Sequence, residues 1–272
     1  MGPQSQQIQF DPRYVASLLL DEANIVSANF AAGRELLRQY SKIPENELAS
    51  HVADIHHLYP SILSRLHEGA AYLDVGCCLA QDIRKLAFDG APTTNCIGID
   101  LEPGFFTISE ALFRDEGCLS ARFFQADIFQ SDDTLLTDIR GSMDVVHASS
   151  FFHLFGLPKQ RQVARTIAKV VRPQPGSLVL GLQIAAAGEA ETIPVFSEGE
   201  PTYCHSLVTM QALWDDTVQE AGLEEQEHAL SWKVGLKKKP VPANMRIGHL
   251  ANPKLIMVMW IAELVLKSST SK

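Results

Sequence analysis

The amino-acid sequence predicts an α/β protein built on a seven-stranded, mostly parallel sheet with helices on both faces and a helical cap at its N-terminus. Three observations predict it. From Ala71 onward, apolar runs of strand length alternate with segments of helical period. Most of these runs end in acidic or polar residues, as expected of an open sheet whose carboxyl ends line a crevice. Residues 1–60 carry helical spacing and offer no strand candidate.

Asp11-Pro12 places a capping carboxylate before the residue tolerated at the first helical position. Val15, Leu18, Leu19 and Val26, then Phe30, Leu36, Leu37 and Tyr40, recur at helical spacing over residues 12–40. Pro44 opens a further helix with Leu48, Val52, Ile55 and Leu58 on one stripe, and Tyr59-Pro60 is expected to end it. Residues 1–60 therefore read as a cap or lid, and residues 61–272 as the sheet domain. In the latter, Tyr72-Leu73-Asp74 is the first strand, leading through Val75-Gly76-Cys77-Cys78-Leu79-Ala80 into a helix from Gln81 to Phe88. Strands follow over 95–100, 121–127, 143–147 and 177–184, with helices over 105–115 and 159–171 between them. Residues 185–205 form a long polar insertion, expected to lie over a substrate pocket. A helix over 206–221 stops at Gly222, and two final strands, 228–234 and 255–265, are expected to be antiparallel. Lys237-Lys238-Lys239-Pro240 is expected to be a solvated turn between them.

Composition narrows the function. A chain of 272 residues that is 46% hydrophobic can bury one large core with a modest cap. A formal net charge of −9 argues against non-specific nucleic-acid binding, which needs a basic face, and favours a small-molecule partner. Five cysteines without a C-x-x-C pair give neither a disulfide framework nor a metal spacing, so free thiols in a reducing compartment are expected and no metal is assigned. Met1 to Phe10 show neither a basic nor an apolar leader-like run, so no secretory leader is expected, and the longest apolar runs, 178–187 and 255–266, are too short or interrupted to span a bilayer. A cytoplasmic protein without membrane insertion is expected; the sequence leaves its oligomeric state open.

The chemistry gathers at the strand ends. Asp74, Asp100 and Asp127 close the first three strands, and the fourth leaves through His147, Ser149 and Ser150. Of a G-x-G-x-x-G fingerprint only Gly76 is glycine, with Cys78 and Ala80 where further glycines could stand. Asp100 is placed to accept hydrogen bonds from ribose hydroxyls, with Glu102 as the substitute. Asp127 can accept from an adenine amine while Ile128 packs on the ring, and Asp74 suits a charged amino group. A nicotinamide enzyme needs a ribose acid too, but usually keeps more glycines to admit a pyrophosphate.

The segments DVGCCLAQD, GIDLEP, QADIF and DVVHASSFFHLF, in this order and spacing, resemble the successive cofactor motifs of class I S-adenosyl-L-methionine (SAM)-dependent methyltransferases. More narrowly, they are similar to a fungal subgroup that serves polyketide, alkaloid and meroterpenoid pathways and includes carboxyl O-methyltransferases. The resemblance covers the chain from about Tyr59 to its end and implies a Rossmann-like fold with SAM as cofactor. It implies that Asp74, Gly76 and Cys78 surround the methionine part, Asp100 the ribose, Asp127 and Ile128 the adenine, and His147 the adenine or methionyl rim, with Leu101 also among the cofactor-binding residues.

Methyl transfer from a sulfonium is an in-line displacement that needs an acceptor held close and dry. A carboxylate acceptor needs no base. For a hydroxyl, His153 in Ser149-Ser150-Phe151-Phe152-His153-Leu154-Phe155 is the first candidate, as a base or an acceptor-orienting residue, ahead of His147, His205 and His249. Phe151, Phe152 and Phe155 are candidates for the wall of an apolar acceptor pocket. The expected activity is methylation of an oxygen on a small apolar natural product. The alternatives are an NAD(P)-dependent reductase, or the same fold turned to a non-methylating rearrangement or to partner binding.

Overall fold

The computed structural model describes residues 58–113, 115–130, 132–193, 201–223, 229–239 and 252–267. The helices expected over 12–40 and from Pro44, read from the sequence as a cap, lie outside these residues.

Along the described chain come α1 (Tyr59–His67), β1 (Tyr72–Val75), α2 (Gln81–Phe88), β2 (Cys96–Asp100), α3 (Gly104–Phe113), β3 (Arg122–Gln125), α4 (Thr134–Asp138) and β4 (Val145–His147). A 3₁₀ turn (Phe152–Leu154), α5 (Leu157–Val170), β5 (Leu178–Ala186), β6 (Glu191–Ile193), β7 (Thr202–Cys204), α6 (Leu207–Asp215), β8 (Leu230–Lys239) and β9 (Leu255–Leu266) complete it. Seven strands form one sheet in the order β3-β2-β1-β4-β5-β9-β8. The first five of that order are parallel, while β5–β9 and β8–β9 are antiparallel, as the sequence predicts for the last two strands. Strand order reverses at β1, which pairs with β2 on one side and β4 on the other, so the ligand crevice of such a sheet opens above it.

Burial explains the apolar runs. Every residue of β1, β2 and β5 is buried, because helices cover both faces. Edge strand β3 instead alternates exposed ends with half-buried phenylalanines. On one face α5 inserts Val163, Ala164, Ile167, Ala168 and Val170, and α6 adds Met210, Leu213 and Trp214. The other face is covered by Ile62 and Leu66 of α1 and Ile83 and Leu86 of α2. At Gly181 of β5 the loop after β4 comes so close that a Cβ would lie 2.4 Å from the Ala148 carbonyl oxygen, which only glycine admits.

The structure corrects three expectations. Tyr59-Pro60 opens a helix rather than ending one: Pro60 stands in the first turn of α1, where no intrahelical bond to its missing N–H is needed. The insertion over 185–205 is not irregular throughout, since β6 and β7 pair as a separate antiparallel ribbon. Lys237, Lys238 and Lys239 are not in a turn but continue β8, paired with Met259, Val258 and Met257 of the long β9. As the outermost strand, β8 gains from lysines, which oppose further strand pairing.

Candidate functional site

The loop after β1 turns through Gly76 at φ +66° and then places two non-glycine residues, Cys78 and Ala80, in the left-handed region at φ 50°. Such backbone costs a residue with a Cβ about 1–2 kcal/mol, so something must hold it. Asp100 at the end of β2 accepts the Cys78 N–H through Oδ2 at 2.9 Å and the Glu102 N–H through Oδ1 at 3.0 Å. From below, Arg84 of α2 donates through Nη1 to the Leu79 carbonyl at 2.6 Å. Its Nε and Nη2 engage Asp115 at 2.7 and 3.0 Å, in a pair whose side chains are 7% and 1% exposed. Loop shape that elsewhere comes from glycine is here imposed by two polar side chains.

Asp100 is buried, and burial raises its pKa against the opposing pull of its backbone donors. Each of its oxygens accepts one N–H, and a carboxylate oxygen has the capacity to accept a further donor. Beside it Leu101 is 53% exposed, an apolar side chain facing solvent at the rim. Asp127 lies two residues past β3 and caps its own turn by accepting the Phe129 N–H at 3.0 Å, while Ile128 is buried. An acid at the opposite end of the sheet sets the contrast. Asp144 is saturated by Ala71 N–H, Arg172 and Gln174, so its role is structural.

Above β1 the structure gathers Asp74, His147 and a residue the sequence reading missed, Asp82. His147 Nδ1 is 3.0 Å from Asp74 Oδ1 and 4.0 Å from Asp82 Oδ2. One ligand-capable atom from each lies within 4.8 Å of the others. Burial pushes His147 downward, but the two carboxylates outweigh it and hold the imidazole at about 9, so it is an imidazolium at neutral pH. Asp82 is raised to about 6 by burial and by Asp74, with His147 opposing. The missed signal was positional: Asp82 stands in the first turn of the helix that follows the glycine turn, where a side chain can reach back to the crevice.

The loop after β4 forms the other wall. Phe151 lies on Gly76, whose hypothetical Cβ would sit 2.6 Å from its Cδ2. Phe155 meets Phe151 and Phe129 edge-on, with ring centroids 5.3 and 5.1 Å apart. Phe152 points the other way, into the core between Trp214 and Trp260. His153 follows in the 3₁₀ turn and is 8% exposed. The Phe155 carbonyl accepts the Tyr203 N–H at 3.2 Å, and Gln160 Nε2 bridges the carbonyls of both residues, which docks β7 of the insertion on this wall. Beyond it, His205 is buried and pushed down to about 4 by burial, hence neutral.

These residues fit the cofactor that the motifs imply. An exposed leucine beside a carboxylate suits a nucleoside, and the extra negative charge of the Asp74–Asp82–His147 group suits the α-ammonium group of an amino-acid tail.

Comparison with known proteins gives the family and the fold. Residues 73–174 match the family described as "Methyltransferase domain". Among curated relatives, O-methyltransferase phiE of Fungal sp. is 36% identical over 67% of this chain and 59% of its own length. O-methyltransferase atr3 of Stereocaulon alpinum is 35% identical over 67% of this chain and 60% of its own. The chain thus spans about three fifths of these two relatives. Methyltransferase adrK of Penicillium rubens is 30% identical over 88% of this chain and 93% of its own. Among solved structures, the 1,6-didemethyltoxoflavin-N1-methyltransferase of Burkholderia thailandensis superposes with a TM-score of 0.53 at 13% identity, covering 93% of this chain and 90% of that one. A SAM-dependent methyltransferase of Methanosarcina mazei gives 0.51 at 16%, covering 77% and 99%. At such identities these two likenesses speak for the fold alone.

Proposed function

Because the chain belongs to the class I SAM-dependent methyltransferases, we propose that it transfers the methyl group of SAM to an oxygen of a small, largely apolar natural-product intermediate. One observation carries the acceptor side: the Phe151 ring rests directly on Gly76, so an apolar wall adjoins the cofactor loop without a gap. The choice of oxygen follows the names of the relatives phiE and atr3. Neither a nicotinamide reductase nor a non-methylating use of the fold is favoured.

In this reading bound SAM supplies an electrophilic methyl on a positively charged sulfur. Asp100 accepts the ribose hydroxyls with the lone pairs left by its two backbone donors. Leu101 and Ile128 pack on the adenine, and Asp127 accepts from its amine. Phe151 and Phe155 hold the acceptor and keep water away, so that positioning supplies much of the acceleration. A carboxylate acceptor needs nothing more; a hydroxyl draws on His153 as base. No described helix is long and apolar enough to cross a membrane, and the free cysteines suit the reducing cytoplasm.

Calorimetry with SAM and S-adenosylhomocysteine tests the cofactor assignment, which fails if neither binds at about millimolar concentration. Incubation with methyl-deuterated SAM and a panel of aromatic and terpenoid acids and phenols, read by mass spectrometry, tests the acceptor class. The labelled methyl is expected on oxygen, and transfer only to nitrogen or carbon refutes that part.

A further inference from the structure

Building on the cofactor reading above, we infer that Asp82, rather than Asp74 at the end of β1, is the carboxylate that receives the α-ammonium group of the cofactor's methionine part. Asp74 is already engaged. Its Oδ1 pairs with His147 Nδ1 at 3.0 Å, and its side chain is 5% exposed. His147 is itself 12% exposed and lies stacked along Tyr72, with ring centroids 6.3 Å apart and planes inclined by 25°. Asp82 approaches the same Nδ1 only to 4.0 Å and, with its side chain 23% exposed, is the most accessible member of the group.

The charge count gives the ligand class. Two carboxylates and one imidazolium leave one negative charge uncompensated. The other groups facing it do not cancel that charge. The Tyr72 phenol and the Cys77 and Cys96 thiols are all shifted upward by burial and by Asp74, so they remain neutral. Gln81 offers Asp82 Oδ2 a long amide contact at 3.4 Å. Tyr59 and Lys85, the nearest groups on neighbouring turns, are both bonded to Asp89. Among the described residues no lysine or arginine pairs with Asp74 or Asp82. A compact cation with several N–H donors fills this deficit, and an α-ammonium group on a nucleoside held at Asp100 is of that kind. Protonating Asp82 removes the partner, so affinity for such a ligand falls as the pH drops through about 6.

The test compares S-adenosylhomocysteine with 5′-methylthioadenosine, which keeps the nucleoside and lacks the amino-acid part, by calorimetry on the full chain. Asp82→Asn is expected to weaken S-adenosylhomocysteine roughly ten- to hundredfold at about pH 8, the worth of one charge-assisted hydrogen bond. It should leave methylthioadenosine within about twofold, and Asp82→Glu should restore part of the loss. The wild-type decline in S-adenosylhomocysteine affinity toward acid pH should also flatten in Asp82→Asn. Unchanged affinity overturns the assignment, and so does an equal loss of both ligands, which would mark Asp82 as a support of the loop. Affinity that vanishes on treatment with EDTA and returns with Mg²⁺ overturns it too, because the three side chains would then be holding a metal. A wild-type chain that binds neither nucleoside refutes the cofactor reading itself, which is a separate result.

Discussion

The loop after β1 and the loop after β4 meet where Phe151 rests on Gly76, and they are held in shape by opposite means. Among the described residues, the non-glycine positions with positive φ are Cys78 and Ala80 in the first loop and Ser150 in the second. In the first loop, polar side chains reaching up from β2 and α2 fix that backbone. In the second, Ser150 donates its N–H to the Leu182 carbonyl, and Phe151, Phe152 and Phe155 spread to either side as packing anchors. Backbone strain of this kind persists only where the surroundings over-determine it, and it gathers at functional sites. The difference between the supports matches the two ligands proposed: a charged nucleoside against the polar loop, an apolar acceptor against the aromatic one.

The largest effect should come from removing the clamp under the first loop. Arg84→Met leaves Asp115 as a buried, unpaired carboxylate and frees the Leu79 carbonyl, at an expected cost of about 3–5 kcal/mol in urea unfolding. Arg84→Met with Asp115→Leu should recover most of that, because the desolvated charge is then gone. The double variant should still bind S-adenosylhomocysteine more weakly than wild type, since the Leu79 carbonyl is no longer held. Full recovery of both stability and affinity would show that Arg84 serves the core and not the loop.

Contact between the two loops is tested at Gly76. Gly76→Ala forces a Cβ onto Phe151 and a side chain into the left-handed region, for roughly 2–4 kcal/mol. Adding Phe151→Ala removes the collision and leaves only the backbone part. A double-mutant cycle should therefore show a coupling of about 1 kcal/mol or more. Additive losses would mean that the two loops do not bear on each other.

A smaller effect depends on pH. His147 titrates at about 9 in the folded protein, against an ordinary value of 6.5. Its ion pairing therefore stabilises fully below about pH 6.5, and the contribution is lost as the pH rises through about 9, on the order of 3 kcal/mol. Urea unfolding of wild type and His147→Gln across this window should show the stability gap closing toward alkaline pH. A constant gap would mean that the imidazole is neutral and that Asp74 and Asp82 carry their charges unbalanced.

The sequence made much of this legible, for reasons that differ between the two loops. Strand ends marked by Asp74, Asp100 and His147 could be read because an open parallel sheet sends its carboxyl ends to one rim whatever the details. Phe152 could not be told from Phe151 and Phe155: which aromatic turns into the Trp214–Trp260 core depends on the 3₁₀ turn, and all three lie within five residues. The Arg84–Asp115 clamp left no local pattern, since its partners are 31 residues apart. Lys237–Lys239 read as a turn because charge is the usual mark of one, while their place in β8 is set by the length of β9. The single glycine of the cofactor loop suggested an eroded turn. In the structure the turn persists, supported from outside the motif.

The smallest effect bears most directly on that last point. Ala80 is 1% exposed at φ 50°, ψ 38°, and Ala164 is fully buried in the right-handed helix α5. Replacing either with glycine removes a buried methyl worth about 0.8 kcal/mol and adds roughly 0.5–1 kcal/mol of unfolded-state freedom. At Ala164 nothing offsets these terms, so Ala164→Gly should cost about 1.3–1.8 kcal/mol. At Ala80 glycine also releases about 1–2 kcal/mol of left-handed strain, and Ala80→Gly should change stability by no more than about 0.8 kcal/mol in either direction. Equal losses at the two sites would show that Ala80 is not strained. The polar clamp would then be supporting a turn that alanine adopts without cost, and the contrast between the loops would rest on Cys78 alone.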